Sequence, residues 1–379
     1  MMQRLPVTVC ALSMLATSAC PAFFVDGLGG PEPGPDAGEW TVLGAYPCGF
    51  NRTDALHIDD DGTLWTGCGT NTEGDGLFVS DDDGASWSVF APSNAPTFFE
   101  SYRVTTISRS ADGFLYVGGT GSGVMVSRID PATDVLETVL EAGNQVGFNF
   151  TVGSFRRDEN GRAIAESLTG VDALVRASDT DDFIDADIWA NLDARIQLAA
   201  VALDGNTFHG VGSVINAPNT YFEEVASADS PIAFNVIELS GGALGFDGEL
   251  RAVAVGNVAG EGARTVVVGG VNEDSDDAVI YAFDAGDSGG ATAVFVNSVV
   301  DGLRSSTVRG ACATDGHFFV VGEETLASGG NAFVIHSNDG VTWEDITMPG
   351  NPGLLSACAI VGTSLVVAGA GGYVARFNF

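Results

Sequence analysis

A short apolar segment that ends in glycine recurs along the chain, and this repeat constrains the fold more than any other feature. Successive copies are about 50 residues apart, except for one interval of about two periods that contains a blurred copy near Ala163–Glu166. The terminal glycines of the clear copies are Gly67, Gly118, Gly212, Gly269, Gly322 and Gly369. A period of this length predicts a β-propeller with four strands in each blade.

An earlier apolar strand precedes the recurring segment, and in four repeats an Asp-Gly turn follows that strand, as at Asp61-Gly62 and Asp112-Gly113. Asp-Gly between two apolar runs is a strong hairpin signal, because glycine accepts the positive φ of the turn. We predict seven first strands, beginning near residues 54, 103, 149, 196, 250, 307 and 354. The fold class is therefore all-β, a seven-bladed propeller over residues 40–379.

The last repeat, from Leu354 to Phe379, is short and has room for about three strands. The segment Trp40–Ala45 is predicted to supply the missing strand of the last blade. Such closure pairs the two ends of the chain and leaves no open sheet edge.

Two hairpins carry the patterns Ser-Asp-Asp-Asp-Gly-Ala-Ser-Trp and Ser-Asn-Asp-Gly-Val-Thr-Trp, in positions that correspond to blades 1 and 6. They resemble the Asp-box (BNR) motif of sialidase-like propellers, S-x-D-x-G-x-T-W, and the second is one residue shorter. In that motif the Asp binds turn amides, the Gly adopts a left-handed conformation and the Trp packs between sheets. The resemblance implies a structural role, without catalysis, for Ser80, Asp82, Gly84, Trp87, Ser337, Asp339, Gly340 and Trp343.

Residues 1–20 are predicted to be an export signal, with Arg4 before an apolar run from Leu5 to about Ala16. The small residues before Cys20 resemble a bacterial lipobox, so Cys20 is a candidate for lipidation, and cleavage after Ala19 is the alternative. Residues 21–39 are rich in Pro and Gly and are predicted to form a flexible linker. The protein is thus expected in the bacterial cell envelope as a lipoprotein, or outside the cell.

Four cysteines remain after the export segment, an even number that suggests two disulfides in an oxidising compartment. The repeat alignment puts Cys312 and Cys358 at one position of adjacent first strands. It puts Cys48 and Cys68 at one end of blade 1. We predict these two pairs, each stabilising the fold by about 2–4 kcal/mol.

The charge composition excludes several classes of function. All 15 basic residues are arginine, which removes chemistry that needs a lysine, such as a Schiff base or a phosphate-loop lysine. A net charge of −35 disfavours nucleic acid, and it leaves a lipid anchor as the only predicted link to a membrane. An acidic surface also suits a soluble exported protein, which we expect to be a monomer.

Four arginines fall near the starts of first strands, and hence near one mouth of the predicted channel: Arg52, Arg103, Arg251 and Arg309. A cluster there would suit a carboxylate ligand. The resemblance implies that a sialidase would also need a Tyr nucleophile with a Glu partner and an Asp acid. The Arg-Ile-Pro segment typical of that family is absent. Alternatively, local acidic residues neutralise these arginines.

The sequence therefore favours a non-enzymatic binding or interaction module for a protein or a glycan. A sialidase-like glycoside hydrolase, with an arginine-lined site at the channel mouth, is the alternative. No catalytic residue is nominated.

No cofactor is predicted, and calcium is the one alternative left open. Dense acidic loops can supply the oxygen ligands that calcium needs. Neither acidic cluster fits the twelve-residue calcium loop, so solvated loops are the favoured interpretation. The clusters are Asp179, Asp181, Asp182, Asp185 and Asp187 in blade 3, and Glu273, Asp274, Asp276 and Asp277 in blade 5.

Overall fold

The computed structural model describes most of the chain after residue 37. The described residues are 38–43, 48, 53–69, 74–120, 123–141, 152–167, 173–185, 196–214, 217–226, 231–239, 248–258, 264–272, 277–300, 303, 305–324 and 330–379. The predicted export signal, the greater part of the linker and the lipidation candidate Cys20 lie outside them.

Seven antiparallel sheets of four strands each form the seven blades of a propeller. Blade 1 contains β2 (Thr53–Ile58), β3 (Leu64–Gly69), β4 (Gly74–Ser80) and β5 (Ser88–Val89). Blade 2 contains β6 (Arg103–Arg109), β7 (Leu115–Thr120), β8 (Val124–Asp130) and β9 (Val135–Glu141). Blade 3 contains β10 (Val152–Arg157), β11 (Ala163–Ser167), β12 (Leu174–Arg176) and β13 (Ile184–Asp185). Blade 4 contains β14 (Ile196–Asp204), β15 (Thr207–Val214), β16 (Ala217–Val225) and β17 (Ala233–Glu238).

The remaining three blades repeat this order, and the last of them is completed by β1 (Glu39–Val42). Blade 5 contains β18 (Gly248–Asn257), β19 (Arg264–Asn272), β20 (Asp277–Asp284) and β21 (Asp287–Phe295). Blade 6 contains β22 (Ser306–Thr314), β23 (His317–Glu324), β24 (Ala332–Ser337) and β25 (Glu344–Asp345). Blade 7 contains β26 (Leu355–Val361), β27 (Ser364–Gly369) and β28 (Val374–Asn378).

The predicted closure of the ring is confirmed, because β1 pairs antiparallel with β28 and places Trp40 opposite Phe377. All seven first strands are also present, and each begins within three residues of its predicted start. The helices among the described residues are three short 3₁₀ turns: Phe98–Ser101, Val296–Ser298 and Ala370–Gly372. None of the helices in that part of the chain is long and apolar enough to cross a membrane.

Each first strand contains a β-bulge near its beginning, one to three residues after the strand begins. A bulge adds one residue that has no partner on the neighbouring strand, and it redirects the side chains around it. Propeller symmetry therefore gathers the seven extra residues into a ring around the axis. They are Asp54, Thr105, Gly153, Ala199, Arg251, Arg309 and Ser356.

The bulge explains the glycines that pair with the residue just before it, which include Gly322 and Gly369 of the repeat. Where the bulged strand approaches its neighbour, a Cβ on Gly119 would lie 1.9 Å from the carbonyl oxygen of Arg103. A Cβ on Gly270 would lie 1.9 Å from the carbonyl oxygen of Glu249. Only glycine permits so close an approach between backbones. The glycine one position earlier in the repeat is required by contact with the next blade instead. A Cβ on Gly67 would lie 2.2 Å from Val104 of that blade.

The hydrophobic core lies between neighbouring blades rather than within any one of them. Val104 of blade 2 packs in the same cluster as Trp65 and Leu77 of blade 1. Val308 of blade 6 packs likewise against blade 5, beside Ile280. Each blade therefore contributes about half of each interface, and a single blade could not bury its apolar faces alone.

Candidate functional site at the axial channel

The first strands surround a cavity of about 280 Å³ on the propeller axis. Every blade contributes to its wall, and six of the seven extra bulge residues line it. The wall belongs to the early part of each first strand, next to the mouth where these strands begin. The volume is near the lower end of the range for small-molecule sites, which is about 300–1,000 Å³.

Three of the four predicted arginines line this cavity: Arg103, Arg251 and Arg309. Arg251 and Arg309 are bulge residues of adjacent blades, and Arg103 begins the first strand of blade 2. The fourth, Arg52, lies outside the described residues.

Each of these three arginines is also held by a carboxylate, as the alternative interpretation of the sequence required. Arg103 donates to Asp54 of the neighbouring blade over 2.7 Å. Arg251 donates to Glu249 of its own strand, also over 2.7 Å. Arg309 donates through Nε to Glu323, over 2.7 Å. The three arginines therefore line the cavity as neutralised pairs.

A fourth arginine of the cavity wall, Arg156 of β10, was not identified from the sequence. Within the described part of the chain, its one side-chain hydrogen bond runs from Nη1 to the carbonyl oxygen of Phe155, over 2.7 Å. Blade 3 lacks the repeat's glycines and has Glu166 and Ser167 opposite the bulge. Its first strand was therefore placed three residues too early. Arg156 also lies three residues after the bulge residue Gly153, whereas Arg251 and Arg309 are bulge residues, so the repeat does not align it with them.

No tyrosine appears among the described residues that line the cavity. Burial raises the pKa of Tyr116 to about 12, and that of Tyr281 also to about 12. Burial also raises the pKa of Tyr102 and of Tyr221. A tyrosine nucleophile needs the opposite shift, because its reactive form is the anion.

The far ends of the first strands carry arginines of a different kind, which join one blade to the next. Asp59, after the first strand of blade 1, accepts hydrogen bonds from Arg109 of blade 2 and from Trp65. His57 lies 3.0 Å from the same carboxylate. Burial alone would raise the pKa of Asp59, but these hydrogen bonds outweigh burial and hold the pKa well below its usual value.

We call such a side-chain link between neighbouring blades a clasp, and similar clasps lie between later blades. They pair Asp112 with Arg157, Glu224 with Arg162, Asp204 with Arg264, and Asn257 with Asp315. These side chains act on the stability of the ring, and they lie at the opposite ends of the strands from the cavity mouth.

Both predicted disulfides are present. Cys48 bonds to Cys68 within blade 1, with 5.7 Å between their Cα atoms. Cys312 bonds to Cys358 across blades 6 and 7, with 5.9 Å between their Cα atoms. The bulges show that these two are offset by one residue, because Cys312 aligns with Ala359. The expected equivalence of the two positions was therefore wrong by one residue, although the pairing is correct.

The two Asp-box-like hairpins have the local geometry that the resemblance implies. Asp82 accepts hydrogen bonds from the backbone N–H of Ser86 and from the Ser80 hydroxyl, both over 2.8 Å. In blade 6, Asp339 accepts from the N–H of Val341 over 2.8 Å and of Thr342 over 2.6 Å. Gly84 and Gly340 have φ angles of 82° and 73°, in the left-handed region. Trp343 is buried in the cluster between blades 5 and 6. The hairpins thus hold adjacent blades together.

Neither acidic cluster forms a metal site in the described residues, where no group of three or more His, Cys, Asp or Glu is arranged around a metal position. Asp179 instead accepts hydrogen bonds from Arg157 and Arg176. In the second cluster, Glu273, Asp274 and Asp276 lie outside the described residues, as does Asp187 of the first. Of Asp185, only the backbone is described.

No protein-family model matches this sequence, and no curated protein matches it. Several solved structures are similar in fold. Virginiamycin B lyase from Staphylococcus aureus has a TM-score of 0.61 at 10% identity, covering 90% of this chain and 99% of that one. YCF48 from Cyanidioschyzon merolae has a TM-score of 0.55 at 13% identity, with 89% and 98% covered.

A third similar structure is the extracellular domain of a protein described as a hybrid two component system from B. thetaiotaomicron. Its TM-score is 0.60 at 11% identity, and the match covers 89% of this chain and 41% of that one. Identities this low show the fold alone, so the conclusion from the comparisons is that this chain is a β-propeller.

Proposed function

We propose that this chain is an exported binding module without catalytic activity, which holds a protein or glycan ligand at the mouth of the axial cavity. The observation that carries the proposal is the ring of bulges, which brings side chains from the blades to one cavity. Bulges are over-represented next to functional sites, where they redirect side chains.

Three further features support export and binding. The two disulfides are typical of proteins that fold in an oxidising compartment. The N-terminal segment has the pattern of an export signal, with Cys20 as the candidate lipid anchor. Two similar propellers are extracellular domains of B. thetaiotaomicron proteins, one described as a hybrid two component system and the other as a one component system.

A sialidase-like hydrolase is the second candidate, and one observation favours it: three of the four predicted arginines line a single cavity. Against it, the described wall of that cavity offers no tyrosine. Each of the three guanidinium groups already forms an ion pair with a carboxylate. The binding module needs neither a nucleophile nor a free arginine triad, so it fits the described wall better.

The test is a glycan array probed with the full chain, expressed with its export segment and purified. Arrays run with and without calcium also test whether calcium, which the acidic loops could bind, affects glycan binding. The mouth variant R251Q/R309Q should change the set of bound glycans or weaken binding, because it alters two adjacent blades at the cavity wall. The matched control is R128Q, which removes an arginine paired with Glu137 on the outer strands of blade 2.

Hydrolysis of a fluorogenic sialoside is measured on the same preparations. Turnover by the wild type that is lost in R251Q/R309Q would favour the hydrolase over the binding module. Glycan binding without turnover would support the module. If the mouth variant and R128Q both bind as the wild type does, the cavity mouth is not the binding site.

A further inference from the structure

The charges of the cavity wall do not cancel. Four arginines line it, and three carboxylates neutralise three of them: Asp54, Glu249 and Glu323. Among the described residues of the wall, the fourth arginine, Arg156, therefore leaves one excess positive charge, in a chain whose net charge is −35.

Arg156 is exceptional among the arginines that the structure describes. Ten of those eleven arginines form an ion pair with Asp or Glu, and Arg156 forms none with any Asp or Glu that the structure describes. Acidic residues outnumber arginines by more than three to one in this chain, so a partner was readily available by sequence. An unpaired cation at this position therefore calls for a physical explanation.

The surroundings of Arg156 make this arrangement unfavourable in the empty protein. Burial lowers the pKa of its guanidinium to about 10, since burial removes water without supplying an opposite charge. The group still stays protonated at neutral pH. An uncompensated, partly buried charge is destabilising, and a bound anion would restore its solvation.

The neighbouring wall provides hydroxyl groups rather than further charges. Thr105 and Thr106 of blade 2 and Ser154 of blade 3 line the same cavity. On the other side the wall is formed by small apolar residues such as Ala199 and Ala200. A site with one cation, several hydroxyls and small side chains suits a compact, hydroxylated acid.

We propose that Arg156 binds the carboxylate of a small acidic ligand, of the size of a single sugar acid, inside the axial cavity. This inference rests on the proposed function and names the chemical class of its ligand. A planar guanidinium pairs with a carboxylate through two parallel hydrogen bonds. A monoanion also matches the single excess charge, whereas a dianion would leave one negative charge uncompensated.

The experiment is titration calorimetry on the full chain with four probes: glucuronate, glucose, acetate and sulfate. Glucuronate and glucose differ in one carboxylate, so their comparison isolates that group. We expect glucuronate to bind and glucose not to bind. R156Q should weaken glucuronate binding by at least about tenfold, since it removes a charge-assisted pair. R156K keeps the charge without the planar fork, and it should bind with intermediate affinity.

R128Q is the matched control, because it removes the same charge from the outer strands and should bind glucuronate as the wild type does. Thermal unfolding of each variant separates binding from folding. R156Q should unfold at the same temperature as the wild type or a higher one, because it removes an unpaired charge. A clearly lower unfolding temperature would show that Arg156 is a structural residue and would overturn the inference.

Several binding results would also overturn it. Glucuronate binding unchanged in R156Q would place the carboxylate elsewhere. Binding of sulfate alone would make the site one for inorganic anions, and binding of no anion would remove the ligand class altogether. In each of these cases, glycan array signals that persist in R156Q and fall in R251Q/R309Q would leave the proposed binding module standing.

Discussion

The two ends of the first strands use the same residue types for opposite purposes. At the turn end, arginines join one blade to the next, as Arg109 does with Asp59. At the mouth, Arg103 also joins two blades, through Asp54, but Arg251 and Arg309 pair within their own blades and face the cavity. Arginines that connect blades contribute to stability, and arginines that do not are available to contact a ligand.

The glycines differ between the two ends in the same way. Gly113, at the turn end of blade 2, has a φ of 85° and open space around the position of a Cβ. Gly119, at the bulge end of the same blade, is required because the backbone of Arg103 approaches it. Gly113 is needed for the backbone conformation of a turn, and Gly119 is needed for the close backbone contact at the bulge.

The largest expected effect concerns the covalent link between blades 6 and 7. C312S/C358S should destabilise the protein by about 4 kcal/mol, because the disulfide closes a long loop of the unfolded chain. The matched variant C48S/C68S should lose about 3 kcal/mol, since its cysteines are 20 residues apart rather than 46. Denaturant unfolding measures both. A larger loss in C48S/C68S would contradict the importance of joining blades 6 and 7.

The second prediction compares the two glycines of blade 2. G119A should cost about 3 kcal/mol, because a Cβ there meets a carbonyl oxygen that cannot move without breaking the bulge. G113A should cost about 1 kcal/mol, the strain of placing alanine at positive φ in open space. The two free energies of unfolding are compared under the same conditions. Equal losses would show that the bulge end tolerates movement.

The sequence predicts the propeller well because the same contacts recur in every blade, and each recurrence requires similar residues at similar positions of the repeat. In four blades the position of the first strand follows from its Asp-Gly turn, and the role of Trp40 in closure follows from the short last repeat. The bulges were not predicted, since an extra residue at the same place in all seven strands leaves the period unchanged. Because the bulges fix the true register of each strand, the one-residue offset between Cys312 and Cys358 could not be read from the repeat either.

The site was predicted in part, for a similar reason. Arg103, Arg251 and Arg309 stand at regular places in regular repeats, so their convergence could be anticipated. Arg156 stands in the one repeat where Glu166 and Ser167 replace glycine, and it lies three residues beyond the bulge, so it has no counterpart among the other arginines. The sequence could not indicate that Arg156 lacks a carboxylate partner among the described residues, because acidic residues are abundant throughout the chain.

The third prediction tests the clasp between blades 1 and 2. R109M should destabilise the protein by about 2 kcal/mol at neutral pH, because Asp59 is left buried with only His57 and Trp65 beside it. Denaturant unfolding of wild type and R109M gives the difference. A loss below about 0.5 kcal/mol, as for an exposed pair, would contradict a stabilising role for the clasp.

The same variant has a predictable pH dependence. The pKa of Asp59 is lowered in the folded state, so the stabilisation is fully present above the unfolded pKa of about 4. It is lost as the pH falls below that value toward the folded pKa. The difference between wild type and R109M should therefore shrink below about pH 4. A difference that stays constant down to the acid transition would show that Arg109 acts through packing instead of charge.

The smallest effect is expected at the mouth. R251Q should change the free energy of unfolding by less than about 1 kcal/mol, because both members of its pair are partly exposed, at 30% and 35% of their side-chain surface. R251Q/E249Q, which removes both charges, should differ little from R251Q. A double-mutant cycle measures the coupling. A coupling above about 2 kcal/mol would mean that Arg251 is held for stability, as Arg109 is. A coupling near zero would mean that this arginine can leave its carboxylate for a ligand at almost no cost, which the binding function requires of the cavity mouth.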